Sequence, residues 1–359
     1  MYKVYITNFD KNKVIPRYLF PLVRPFYNSK TGNWESSIEN LSKWNCLDLG
    51  ISITSSMADS DFILISEPLD HLGNNVKYRQ LAEINEICAE RKIFAYQMIN
   101  GDFGKVHPTF SNIIYYRLGG FKSQLNKNNK AYFPFVRDHL KEYYDQKVIL
   151  RSKNDKATIG FCGYASNSIS KRVFEKFKMA KINFQRAKEG DMKFEKLYAS
   201  GYERYKLLKS IEQSNLLKTN FIFRKKYRAG AVTEDDRVKS ALEYLKNIID
   251  SDYVLCLRGS GNFSVRLYET LMMGRIPVFV NTDCILPLED EINWKNHVVW
   301  VEWKDRKNIS QIVSEFHRNI TQDDFYNMQQ NNRKFWKSYL SIEFFLKNIV
   351  QKTHLNVRA

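Results

Sequence analysis

The stretch of the sequence with the most chemistry in it runs from Tyr253 to Val280. A buried-type strand, Tyr253-Val254-Leu255-Cys256-Leu257, leads into Arg258-Gly259-Ser260-Gly261-Asn262-Phe263-Ser264. A short helix from Arg266 to Met273 follows, Gly274 closes it, and Ile276-Pro277-Val278-Phe279-Val280 reads as a second buried strand. Gly259 and Gly261 let the backbone come close to a ligand, and the unpaired N–H groups that open the helix point the same way. Ser264 stands at the N-cap, where an outward hydroxyl can also donate to a phosphate oxygen. Arg258 and Arg266 would set two fixed cations around one anion, which suits a diphosphate. Glu269, one turn beyond Arg266 on the same helix face, is placed to accept hydrogen bonds from ribose hydroxyls. Each feature has an ordinary alternative: a surface ion pair between Arg266 and Glu269, and a plain turn at the glycines. Their crowding into one strand–turn–helix unit favours the phosphate site. A Walker loop is excluded because its Lys is missing, and GxGxxG is matched only in part, with Ser264 in place of the third glycine.

The elements that must position these residues come in two sets. Strands are predicted near 2–7, 61–66, 92–96 and 112–117, with a helix over Val76–Glu90 that presents Leu81, Ile84, Ile87 and Cys88 on one face. A second set follows near 157–162, 220–224, 253–257, 276–280 and 298–301. Val238, Leu242, Leu245 and Ile249 stripe the helix before the third of these. The polar segment Lys147–Lys156 is the expected hinge, and Asp323–Lys352 reads as a terminal helical segment. The expected organisation is a first α/β domain over 1–150, a second over 151–322 and a helical segment over 323–359. Two facing Rossmann-like domains would bind ligands in a cleft at the carboxyl ends of their strands.

Composition narrows the class of protein. At 359 residues, with 43% hydrophobic and 26% charged side chains, the chain is neither fibrous, miniature nor mainly disordered. A net charge of +17 points to phosphate-bearing partners, whether nucleotide, nucleic acid or anionic lipid. The five cysteines, Cys46, Cys88, Cys162, Cys256 and Cys284, are scattered without a CxxC pair, the usage of a reducing compartment. No run approaches the ~20 apolar residues of a membrane span, and the amino terminus lacks an apolar signal core. The expectation is a cytoplasmic protein, at most peripheral at the inner face of a membrane.

Several of these residues also carry a resemblance. Leu257-Arg258-Gly259, Asn262-Phe263-Ser264-Val265-Arg266-Leu267-Tyr268-Glu269, Gly274-Arg275-Ile276-Pro277-Val278, Leu286-Pro287 and Ile292-Asn293-Trp294 resemble the signature of the exostosin-like glycosyltransferases. Phe223-Arg224, Arg228-Ala229-Gly230, Gly160-Phe161-Cys162-Gly163 and Asn100-Gly101-Asp102 resemble its bacterial branch more loosely. The resemblance implies a GT-B architecture, with the acceptor on the amino-terminal domain and a nucleotide sugar, expected to be a UDP-sugar, on the carboxy-terminal one. It also implies inversion without a tightly held metal or other cofactor. Its donor pattern falls on Arg258, Gly259, Asn262, Ser264, Arg266 and Glu269, with Arg224, Arg228 and Gly163 added from the looser matches.

Glycosyl transfer builds negative charge on the departing diphosphate beside an oxocarbenium-like sugar, so fixed cations or a divalent ion must hold the leaving group. Arg258 and Arg266, with Arg224 and Arg228, supply the cationic option. Asp59-Ser60-Asp61 has the spelling of a metal motif but precedes its strand, and reads as a strand-entry turn. Inversion needs a general base, for which Asp102 in the loop after strand 92–96 is the candidate, against the plain alternative of a turn between two glycines. Glu67, just past strand 61–66, is the second choice of base and a candidate for contact with the acceptor, and Arg117 is a candidate for contact with the donor or an acidic acceptor. The histidines, His71, His107, His139, His297, His317 and His354, have no metal-ligand spacing. A growing glycan, lipid-linked and destined for an O-antigen or capsule, is the expected acceptor, with Lys122, Lys127 and Lys130 resting on anionic lipid. The competing readings are a nucleic-acid-binding protein using the basic surface, although no nucleic-acid motif is found, and an inactive GT-B scaffold.

Overall fold

The computed structural model describes residues 2–10, 51–66, 74–99, 101–103, 107–134, 136–341, 344–345 and 347–348, with 227 and 228 described through their backbone only. Two compact units result. The first comprises Met1–Gly119, Gln124–Tyr132 and Tyr339–Ala359, and the second Gly120–Ser123 and Phe133–Ser338.

The first unit holds β1 (Tyr2–Ile6), β2 (Ile51–Ile53), β3 (Phe62–Ile65), helix α1 (Asn74–Arg91), β4 (Ala95–Ile99), β5 (Ile113–Arg117) and β6 (Asn129–Ala131). The strands form one parallel sheet in the order β2-β1-β3-β4-β5-β6. β3, Phe-Ile-Leu-Ile, is buried along its whole length, as a central parallel strand covered on both faces requires. Leu81, Ile84 and Cys88 of α1 pack on Ile63, Ile65 and Ala95, the face that the sequence periodicity marks. β4 starts three residues later than predicted because Lys92, at φ 55°, and the Ile93 N–H, bonded to Cys88 O, still belong to the exit of α1.

The second unit holds α2 (His139–Tyr143), β7 (Thr158–Tyr164), α3 (Ile169–Lys188), α4 (Ser200–Gln213), β8 (Lys218–Arg224), α5 (Glu234–Ile249), β9 (Tyr253–Cys256), α6 (Val265–Met272), β10 (Ile276–Asn281), β11 (Val299–Glu302), α7 (Ile309–Asn319) and α8 (Gln322–Tyr339). Its parallel sheet runs β11-β10-β9-β7-β8. Both sheets therefore place their second strand outside the first and their third on its other side, the doubly wound order whose switch point lies between the first and third strands. In the second unit that point is between β7 and β9. The core there is built from Ile159, Phe161, Leu208, Leu255, Val278 and Val313. A capping box between Thr233 and Asp236 starts α5, and Gly274, at φ 67°, ends α6.

The unit boundaries fall at other residues than 150 and 322. Residues 133–149 pack with the second unit: Arg333 pairs with Asp138 at 2.7 Å, and Val148 stands where a Cβ on Gly274 would fall. α8 buries Phe325 in the second core, and Gln329 exchanges two hydrogen bonds with the backbone of Arg151, so the helix is part of that unit. Cys88, Cys162, Cys256 and Cys284 are buried free thiols, and Cys46 lies outside the described residues. Among the described residues no helix is long and apolar enough to cross a membrane.

Candidate functional site

The switch point of the second unit gathers three arginines. Arg266, in the first turn of α6, lays its guanidinium back over β7: Nη2 donates to Cys162 O at 2.8 Å, and the group stacks on the Phe161 ring at 4.1 Å. A Cβ at position 163 would stand 2.7 Å from that Nη2, so Gly163 clears the space. No ion pair joins Arg266 to a carboxylate among the described residues, and its Nε is buried without a partner. The i,i+3 pair with Glu269 does not form, because Glu269 Oε2 instead accepts from the Tyr244 hydroxyl at 2.5 Å. Burial and the Glu269 charge raise the Tyr244 phenol, which therefore stays a donor.

Arg204 of α4 spans the carboxyl ends of both strands, donating to Arg258 O at 3.0 Å and to Tyr164 O at 3.5 Å. Burial, and after it the Arg266 charge, pull its guanidinium down to about 10. Arg258, following β9, is buried: it donates to Ser260 O at 2.7 Å, faces the rings of Tyr198 and Phe121, and has Glu195 at 3.9 Å. Burial lowers its pKa too. Of the three guanidinium groups, Arg258 has Glu195 within 4 Å, whereas Arg266 has no such ion pair among the described residues. Ser264 occupies the N-cap of α6 but makes no cap hydrogen bond, which leaves its hydroxyl for another acceptor. At the carboxyl ends of β10 and β11, Arg258 opens onto a cavity of about 640 Å³ walled by Lys196, Tyr198, Thr282, Asp283 and Trp303.

Other predicted residues are placed differently. Asn262 is a brace: its Nδ2 donates to the carbonyls of Gly120, Thr282 and Asp283, and its Oδ1 accepts from Thr282 Oγ1, which occupies the whole amide. Arg224 pairs with Glu243 at 2.6 Å and bonds Ser240 O, so its charge is already matched. Arg117 is 1% exposed, with Nε on Gly119 O and Nη1 on Asn129; it holds the first unit together and does not reach out to an acceptor. Gly259 has ordinary backbone torsions and would meet only Arg204 Nη2, at 3.7 Å, if it carried a Cβ, so no strain requires glycine there. Asp102 is exposed in the turn after β4, beside Gly101 at φ 83°. Glu67 and the side chain of Arg228 lie outside the described residues. Asp61 accepts from the Lys3 N–H before β3, as a strand-entry turn does. Lys122 is paired with Glu289 at 3.1 Å.

Part of the motif is scaffold. Arg275 is fully buried and donates to the carbonyls of Ile249, Gly274 and Ile149, while Trp294 Nε1 closes a loop on Pro287 O. Among the described residues no group of three His, Cys, Asp or Glu side chains is arranged to hold a metal ion. Arg204, Tyr198 and Tyr244 escaped the sequence reading because they reach the site from α4, its preceding loop and α5, with no motif of their own.

A doubly wound unit that collects guanidinium groups at its switch point defines a Rossmann-like α/β module. Within that class, residues 190–316 match the model of the Exostosin GT47 domain family. Exostosin-1 of Drosophila melanogaster is 30% identical over 111 residues, covering 31% of this chain and 14% of that protein. A probable glucuronosyltransferase of Oryza sativa subsp. japonica is 34% identical over 71 residues, covering 20% and 17%. The matched stretch thus spans about a sixth of these relatives' length. Among solved structures, a variant of S. aureus TarM in complex with Fondaparinux, alpha-GlcNAc-glycerol and UDP aligns at 10% identity and TM-score 0.30, over 76% of this chain and 58% of that one. A second TarM structure aligns at 11% identity and the same TM-score, over 77% and 58%. Similarity at that level adds nothing to the reading of the site.

Proposed function

We propose that the protein is a GT-B glycosyltransferase that moves a sugar from a nucleotide sugar, in our reading a UDP-sugar, to a hydroxyl of a growing glycan, with inversion. The observation that carries this is Arg266: a half-buried guanidinium with no carboxylate partner among the described residues, held at the switch point by Cys162 O from the first turn of α6, whose N-cap Ser264 makes no cap hydrogen bond. The exostosin-like match over residues 190–316 supplies the reaction class.

In this reading Arg266, Arg204, Ser264 and the start of α6 receive the diphosphate, and Arg258 faces the adjoining cavity from the same side. As the bond to the anomeric carbon lengthens, charge grows on the bridging phosphate oxygen, and fixed guanidinium and N–H donors stabilise it without reorganising. These cations carry the task that a divalent ion performs in other transferases, so the transfer is expected to run in EDTA. Glu269, oriented by Tyr244, accepts from the ribose hydroxyls. Asp102 is assigned the general base that takes the acceptor's proton on the face opposite the diphosphate.

The test is a thermal-shift and calorimetric screen of nucleotides and nucleotide sugars, followed by detection of nucleoside diphosphate release in the presence of glycan acceptors. Stabilisation by UDP and UDP-sugars, unchanged by EDTA and lost in Arg266→Ala, is the expected outcome. A protein that responds to no nucleotide sugar, or binds polyanions without selectivity and releases them at modest salt, would overturn the assignment in favour of a nucleic-acid binder.

A further inference from the structure

Helix α3 is built inside out. Its protein-facing side is polar. Arg186 donates to Lys193 O and to Glu195, Asn183 exchanges hydrogen bonds with the backbone of Glu195, and Glu175 accepts from the Gly201 N–H and the Ser200 hydroxyl. Met179 is the only apolar side chain of α3 that is buried. The apolar residues lie on the opposite side. At 3.6 residues per turn, Ile169, Val173, Phe177 and Phe184 fall within an arc of about 80° that faces away from Met179 and Arg186. Together with Phe174, about 60° further round the helix, they are between 60% and 76% exposed. A surface helix of a water-soluble domain ordinarily turns such a stripe inward, so this one fits a partner outside the chain.

The charges say which partner. The helix carries seven Lys and Arg against one acidic residue, Glu175, and that carboxylate is turned inward. Lys176 flanks one side of the stripe, and Lys181 and then Lys178 lie on the other, while Lys171 turns back over the Tyr164 ring. Lys188 stands over the Phe184 ring at 4.6 Å. A second copy of the same helix would set like charges against each other, whereas a negatively charged lipid surface answers both features: phenyl rings enter the boundary of the acyl chains while lysines meet the headgroups. The chain's net charge of +17 adds the long-range attraction.

We propose that α3 is a membrane-docking helix that lies in the plane of an anionic bilayer, with Ile169, Val173, Phe177 and Phe184 inserted and its lysines at headgroup level. This is independent of the donor-site reading. The test is sedimentation of the full chain with vesicles of phosphatidylcholine alone and with about 30% phosphatidylglycerol added. The protein is expected to sediment with the anionic vesicles, weakly or not at all with the neutral ones, and progressively less as salt is raised. Phe177→Ser with Phe184→Ser, and separately Lys178→Glu with Lys181→Glu, should each lower the partition coefficient by roughly tenfold or more, with Tm and UDP binding unchanged because neither pair touches the core or the arginine site. Binding that ignores lipid charge, binding that both double variants retain, or no binding would overturn the proposal. If vesicles fail but the Phe variants abolish concentration-dependent self-association in sedimentation velocity, the stripe is an interface between copies of this chain instead.

Discussion

The Arg266 guanidinium occupies the space that a side chain on Gly163 would fill, with Nη2 2.7 Å from the position of a Cβ there. Because Nη2 is the free end of a long side chain, a methyl group at 163 would displace the guanidinium and leave the strand in place. Gly163→Ala is therefore expected to keep Tm within a few degrees of the parent while weakening UDP binding by roughly tenfold or more. Calorimetric titration beside a thermal melt checks both. Unchanged affinity would mean that the docked position of Arg266 does not matter for the anion.

Two arginines of the same motif should answer substitution in opposite ways. Arg266→Ala removes a cation with one backbone hydrogen bond and a stacked ring, so transfer should fall by about 10²-fold or more with a small change in Tm. Arg275→Ala strands the carbonyls of Ile249 and Ile149 in a dry interior and leaves a cavity, a loss of about 4 kcal/mol. Melting curves and turnover measured on both proteins separate the roles. A large stability loss at Arg266 would mark it as structural.

What the sequence made legible, and what it hid, follows from range. β3, β9 and β10 announce themselves as continuous apolar runs because a parallel strand is covered on both faces, and α6 is framed by Ser264 and Gly274. β2 and β6 are three-residue strands with no such run to mark them. Arg117 and Asn262 look like ligand residues by type. Only the tertiary structure shows Gly119 O and Asn129 waiting for the one, and three carbonyls for the other. The converse holds for Arg204, whose neighbours are 40 and 54 positions away in sequence. Periodicity marks the stripe on α3 but does not say which way it faces.

Asn262 ties the loop after β9 to the carbonyls of Gly120, Thr282 and Asp283, and Thr282 and Asp283 form part of the wall of the cavity beside Arg258. Asn262→Ala leaves buried acceptors without a donor, each costing about 1–3 kcal/mol. The expected result is a clear drop in Tm, with Kd for UDP following the fraction folded. Loss of affinity at full stability would restore Asn262 as a donor ligand.

His297 provides a pH test of the fold that is separate from the site. Its ring stacks on Phe335 with centroids 3.9 Å apart, and Nδ1 bonds Asn332 Oδ1 at 3.0 Å. Burial lowers its pKa below the ordinary value near 6.5, and the Asn332 bond offsets only part of that. The folded state thus prefers the neutral ring. Above the unfolded pKa both states are neutral and nothing is lost. As pH falls below about 6.5, the unfolded chain takes up a proton that the folded one still refuses, so stability declines until the lower folded pKa is passed. Urea melts at about pH 7.5 and pH 5 should show this decline in the parent, and a shallower one in His297→Gln, which keeps an N–H for Asn332 but does not titrate. Equal declines in the two proteins would assign the acid sensitivity to carboxylates elsewhere.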